Sequence, residues 1–187
     1  HRRSVMHGGK GPREAVLVGF MGAGKSSVGR MLADRIGAEF IDVDEMIGRN
    51  AGRSIREIFA SLGEGVFRDM EKAAIRDAVS VSGRVVAAGG GAFLDEGNRM
   101  ALSAYGPVFF LDASCEAIVA RLSGDRSRPL LPGEGNELHG LMEKRRPAYL
   151  MADFTVPTDG RTVLQVAGVI LRLLARHRSP KRNGVDE

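Results

Sequence analysis

The chain holds one cysteine, no tryptophan and only two tyrosines among its 187 residues. With Cys115 alone no internal disulfide can form, and a reducing compartment suits the protein. Cys115 itself reads as a small apolar residue near the start of a helix rather than as a thiol nucleophile. No apolar stretch approaches the roughly 20 residues needed to cross a bilayer, and no charged-then-apolar leader precedes the first strand, so a cytoplasmic protein without membrane contact is expected. No aromatic series is interleaved with basic residues to stack bases, so nucleic acid is not an expected partner, although the formal net charge is +4. That excess lies at the ends. Arg2, Arg3, Lys10 and Arg13 stand unopposed in residues 1–13, and Arg176, Arg178, Lys181 and Arg182 outnumber the two acids after residue 174, which leaves the span between slightly acidic. The four histidines, at positions 1, 7, 139 and 177, lack metal-ligand spacing. An N-K-x-D stretch that would read guanine is missing as well, which argues against a GTPase.

What the sequence does hold is a regular alternation of short apolar runs and helical patterns. The runs are Ala15–Val18, Glu39–Val43, Arg84–Ala88, Val108–Leu111 and Asp153–Val156, with helical periodicity between them. Strands alternating with helices imply an α/β fold, a parallel sheet covered on both faces. The length suits one domain, expected over residues 14–174 between flexible tails at 1–13 and 175–187. Ser54 with Glu57 reads as a capping box opening a short helix to Ser61, and a longer helix follows from about Glu64 to Val81. Pro147 is expected to end the helix that contains Leu138, Leu141, Met142 and Arg145. Residues 125–135 are rich in Arg, Pro and Gly, and read as a mobile lid.

The most specific stretch is Gly19-Phe20-Met21-Gly22-Ala23-Gly24-Lys25-Ser26-Ser27, placed between the first strand and the first helix. The spacing G-x-x-x-x-G-K-S at a strand-to-helix turn is that of a phosphate-binding loop. Backbone N–H groups of Gly22, Ala23, Gly24, Lys25, Ser26 and Ser27 would wrap a polyphosphate, and the helix N-terminus adds its positive end. Lys25 would reach the β- and γ-phosphates, and Ser26 would offer its hydroxyl to Mg²⁺. The co-substrate is thus a nucleoside triphosphate, taken as ATP.

Asp42 and Asp44, two apart at the end of the second strand, would project to one side if the segment is extended. Asp44 could instead be only the N-cap of the next helix. Arg68 and Glu71 stand three apart on a helix and can touch. A turn, Gly89-Gly90-Gly91, closes the third strand. Asp112, where the fourth strand ends, competes with Asp42 as a Mg²⁺ carboxylate but reads more simply as a cap.

The phosphate loop, Asp42-Val43-Asp44, Phe67-Arg68 with Glu71, the triple glycine, Arg128-Pro129-Leu130-Leu131 and Lys144-Arg145-Arg146-Pro147-Ala148-Tyr149 together resemble the shikimate kinases in order and approximate spacing, over about residues 14–174. The resemblance implies a P-loop kinase of nucleoside-monophosphate-kinase type, with sheet order 2-3-1-4-5, usually monomeric, phosphorylating the 3-hydroxyl of shikimate with ATP and Mg²⁺. It implies that Arg68 and Arg145 hold the substrate carboxylate, with Glu71 orienting Arg68, and that Gly90 and Gly91 line the same pocket. Asp44 would align or deprotonate the hydroxyl, and Asp42 would bind Mg²⁺ through water. Arg128 would lie over the transferring phosphate, and Arg121 and Arg161 beside the adenine. Arg126 and Arg146 are further lid-side charges without an assigned contact. A kinase for another hydroxy acid such as gluconate, and a catalytically silent nucleotide-binding module, are the competing readings.

Overall fold

The computed structural model describes residues 13–124 and 134–177. Five parallel strands form one sheet: β1 (Ala15–Val18), β2 (Glu39–Asp42), β3 (Arg84–Ala87), β4 (Val108–Asp112) and β5 (Phe154–Pro157). Their spatial order is β2-β3-β1-β4-β5. Because the chain moves outward from β1 in one direction, then returns and moves the other way, the C-terminal ends of β1 and its neighbours open a crevice where such sheets bind ligands. Every residue of β1 is buried, as are Val108–Leu111 of β4, whereas the edge strands β2 and β5 are partly exposed. This distribution explains why the inner strands read as unbroken apolar runs and the outer ones do not.

The helices are α1 (Lys25–Ile36), α2 (Val43–Ala51), α3 (Ile55–Val79), α4 (Glu96–Tyr105), α5 (Cys115–Gly124), α6 (Glu134–Tyr149) and α7 (Val163–His177). Helices α1 and α7 pack together on one face, while α3 and α4 cover the other and α2 leans on α3. At Gly29 the contact between α1 and β2 is so close that a Cβ would lie 2.3 Å from the Phe40 ring. None of the helices among the described residues is long and apolar enough to cross a membrane.

Several boundaries differ from the sequence reading. β2 stops at Asp42, whose carboxylate accepts from the backbone N–H groups of Asp44 and Glu45, so it is Asp42, not Asp44, that caps α2. Val43 and Asp44 are therefore helical, and the two carboxylates do not share a side of an extended strand. The capping box of Ser54 and Glu57 is present, and Gly63, whose φ 82° and ψ 171° are not helical, divides α3 into the expected short and longer limbs; only the end differs, at Val79 instead of about Val81. Pro147 does not end α6; the helix runs on to Tyr149. Proline and Glu143, whose carbonyl loses its partner, are both exposed, so water can satisfy the freed oxygen. A single turn of 3₁₀ helix at Ala92–Leu94, not foreseen, follows the triple glycine. α7 reaches three residues beyond Leu174.

Candidate active site

The loop after β1 closes over its own lysine. Gly22 and Gly24 take left-handed φ values of 74° and 95°, which L side chains rarely adopt, and this lets successive N–H groups face one concavity. Ala23 is buried and Ser27 exposed. Lys25 Nζ donates to the carbonyls of Gly19 and Phe20, each at 2.8 Å. Burial lowers its pKa to about 8, Asp44 and Asp42 work in the opposite direction, and Arg145 adds to the lowering.

Beside the lysine stands an oxygen pair suited to a hard cation. Ser26 Oγ donates to Asp42 Oδ2 at 2.5 Å, while Asp42 Oδ1 is occupied by the α2 N-terminus. One carboxylate and one hydroxyl without a nitrogen or sulfur donor is the sparse oxygen set by which Mg²⁺ is held when phosphates and water supply the remainder. Among the described residues no cluster of three or more His, Cys, Asp or Glu offers a competing metal cage. Asp112 neither caps α5 nor joins this pair. Both of its oxygens are taken by Arg146, at 2.6 and 2.8 Å, and the α5 cap is Ser114.

The second half of the site is built on the triple glycine after β3. A Cβ at Gly89 would lie 2.6 Å from Asp44 Oδ1 and 3.0 Å from Glu71 Oε1. At Gly91 it would meet Arg68 Nη1 and Nη2 at 2.7 and 2.8 Å, and at Gly90 it would stand 3.5 Å from Met21 N and 3.7 Å from Arg145 Nη1. Side chains from α2, α3 and α6 and the backbone of the phosphate loop thus converge on three residues that have no side chains to keep them apart. Arg145 Nη1 also donates to the Gly90 carbonyl at 3.4 Å, and its guanidinium lies over the Phe20 ring at 5.4 Å. Tyr149, one helical turn after Arg145, donates its hydroxyl to the same carbonyl.

Charge in this pocket is poorly solvated. Burial raises the pKa of Asp44, and neighbouring Asp42 pushes it further, against the pull of Lys25 and Arg68. Burial also raises that of Glu71, although Arg68 donates to its Oε2 at 2.8 Å. Glu71 Oε1 is buried with no hydrogen-bond partner. Glu64 holds the outer edge of the Arg68 guanidinium at 3.0 Å. Two guanidinium groups set against adjacent glycines, with the Asp44 carboxylate against the third, can take an anionic group in bidentate fashion while offering an acceptor to a hydroxyl.

Of the residues singled out in the sequence, Lys25, Ser26, Asp42, Asp44, Arg68, Gly90, Gly91 and Arg145 come together here. Arg121 spans from the phosphate loop to the turn after β5, and Arg161 lies on that turn. Arg121 Nη1 donates to the Gly22 carbonyl at 2.9 Å and Nη2 reaches Thr158 Oγ1 at 3.5 Å, while the Arg161 side chain donates to the Pro157 carbonyl. Arg126 and Arg128 lie outside the described residues, as do most of the residues expected to form the lid. Gly89 and Tyr149 belong to the site but were not singled out individually; a three-glycine run, and a tyrosine four residues after an arginine on a helix, were the available signals.

The protein-family model for shikimate kinase matches residues 21–175. A shikimate kinase of Geobacter sulfurreducens is 47% identical over 168 residues, covering 89% of this chain and 93% of that one. The solved structure of a shikimate kinase from Acinetobacter baumannii in complex with shikimate superposes with a TM-score of 0.84 at 35% identity, over 91% of this chain and 97% of that chain. A gluconokinase from Sinorhizobium meliloti, at 20% identity and a TM-score of 0.58 over 89% of this chain and 93% of that chain, shares the fold alone. By this match over most of its length, joined to the geometry above, the chain belongs to the shikimate kinase family.

Proposed function

We propose that the chain transfers the γ-phosphoryl group of ATP to the 3-hydroxyl of shikimate, giving shikimate 3-phosphate and ADP. The observation that carries this reading is the meeting of Arg68, Arg145 and Asp44 on the Gly89–Gly91 turn, against the Met21 N–H of the phosphate loop. An anion-holding pocket that touches a phosphate cradle lets an acceptor and a donor phosphate meet without water between them.

In this reading the ring carboxylate lies between Arg68 and Arg145, with Glu71 fixing the plane of Arg68. The 3-hydroxyl faces Asp44, which accepts its hydrogen bond and aims the oxygen at the γ-phosphorus. As the new P–O bond forms, the bond to the β-phosphate oxygen breaks and ADP leaves. The hydroxyl proton passes to Asp44, whose raised pKa suits it to hold a proton for the moment of transfer. Lys25 gives up the Gly19 and Phe20 carbonyls for the β- and γ-phosphates, and Arg128, outside the described residues, adds positive charge over the transferring group. Arg121 and Arg161 flank the adenine. Ser26 and Asp42 would hold Mg²⁺, which when bound neutralises charge between the β- and γ-phosphates.

An ADP-release assay across shikimate, gluconate and other hydroxy acids tests the proposal. Turnover with shikimate well above that with gluconate supports it. Equal or greater turnover with gluconate favours the other hydroxy-acid kinase, and nucleotide binding without product from any acid favours a silent module.

A further inference from the structure

The pair formed by Asp112 and Arg146 takes no part in the reaction just described, yet it joins the sheet to the helix that carries Arg145. Asp112 is the last residue of β4, and Arg146 lies in the final turn of α6. The contact is bidentate, Nη1 to Oδ1 at 2.6 Å and Nη2 to Oδ2 at 2.8 Å, and among the described residues it is the one ion pair that ties α6 to the sheet. It rests on an aromatic floor. The Arg146 guanidinium lies 5.8 Å from the centre of the Phe110 ring, and the same ring stacks with Tyr149 at 5.1 Å. The hydrogen bonds from Asp112 push the Arg146 pKa up, and the charge of Glu143, one turn back on α6, adds to this.

We infer that Asp112 and Arg146 act as positioning residues for substrate binding, by fixing the rotation of α6 and with it the guanidinium of Arg145. This rests on the shikimate kinase reading and names two further residues on which its carboxylate pocket depends. Successive residues on a helix are set about 100° apart, and side-chain tips stand some 5–6 Å from the axis, so a roll of about 10° shifts them by about 1 Å. Arg145 and Tyr149 face the glycine turn on one side of α6. Arg146 grips from the next position around the circumference, so the two contacts together oppose a roll that neither prevents alone. The final turn needs such help because Pro147 leaves the Glu143 carbonyl without its helical partner. Two cavities of about 330 and 30 Å³ lie along the seam between α6 and the end of β4, both bordered by Asp112, Met142 and Arg146. Apolar contact along this seam is thus limited to the Tyr149 side, where that ring stacks on Phe110, and the ion pair holds the other side.

The test is steady-state kinetics on Asp112→Asn, Arg146→Ala and the double variant, with thermal unfolding to verify folding. Arg145 binds the substrate carboxylate before and during transfer alike, so its misplacement weakens binding uniformly. Each single variant is expected to raise KM for shikimate about tenfold, the scale of a small misalignment, with kcat and KM for ATP within about twofold of the parent protein. The double variant is expected to be no worse than either single one, since both remove the same strut. Unchanged KM for shikimate in the single variants overturns the inference, as do multiplying effects in the double variant or a shift of KM for ATP equal to that for shikimate. Should the parent protein itself fail to phosphorylate shikimate, the functional reading falls and this inference with it. A working parent with unaffected variants removes the inference alone.

Discussion

Gly91 has φ −107° and ψ −10°, a conformation open to any residue, so what a side chain would disturb there is its neighbour and not the backbone. Gly91→Ala places a methyl against the Arg68 guanidinium, which must swing away. We expect KM for shikimate to rise at least tenfold with the melting temperature nearly unchanged, measured by kinetics and calorimetry on one preparation. Asp44 offers a contrast in sign. Its native pKa is raised, so the ionised carboxylate costs stability above that pKa, and the cost disappears below the unfolded value near 4. Asp44→Asn is therefore expected to lose turnover by at least about a hundredfold while raising the melting temperature at neutral pH by roughly 2–4 °C, the scale of 1 kcal/mol in a domain of this size. That gain should fade on acidification. Lys25, lowered to about 8, must be charged to hold phosphate, so affinity of the ligand-free protein for ADP should fall as pH rises through about 8. Titration calorimetry across that range checks it; an ordinary lysine would stay charged to above 10. The sequence showed the identities of these residues because loop spacing and charge are local, whereas the contact between Gly89 and two carboxylates from α2 and α3 depends on packing that no local pattern encodes.

At the scale of elements, the helices were legible where capping chemistry announced them, as at Ser54 with Glu57, and misread where one residue served two roles. Asp42 both caps α2 and accepts from Ser26, so a strand-like pattern ending in two acids hid the helix start. Pro147 misled in the other direction, because an exposed proline in the final turn of a helix costs less than one in its interior when water reaches the freed carbonyl. Gly63 is the opposite case, since the break between two helical limbs stands where the sequence places it. Its φ of 82° with ψ of 171° belongs to a region nearly closed to other residues, and it sets the angle between the two limbs of α3, the second of which carries Arg68 and Glu71. Gly63→Ala is expected to destabilise the protein by about 1–3 kcal/mol, or to straighten the helix and weaken shikimate binding. Urea unfolding read beside KM for shikimate distinguishes these outcomes from no effect, which would mean that the kink is dispensable.

Across the whole molecule, the sheet order β2-β3-β1-β4-β5 gathers onto one edge segments that are far apart in sequence. The loop after β1, the acidic start of α2 beyond β2 and the glycine turn after β3 stand side by side because their strands are neighbours. Helix α6 then brings Arg145 across from the other half of the chain. The alternation of strands and helices made the parallel sheet readable from apolar runs alone, while the order of the strands came from family resemblance, since periodicity carries no information on which strand lies next to which. The central claim is that the phosphate cradle and the anion pocket open onto one another at the triple glycine. A crystal structure with shikimate and a non-hydrolysable ATP analogue bound together tests it most directly. The account predicts the carboxylate between Arg68 and Arg145, and the 3-hydroxyl beside Asp44 pointing at the γ-phosphate. Shikimate bound away from the glycine turn, or with its carboxylate held by neither arginine, would contradict it.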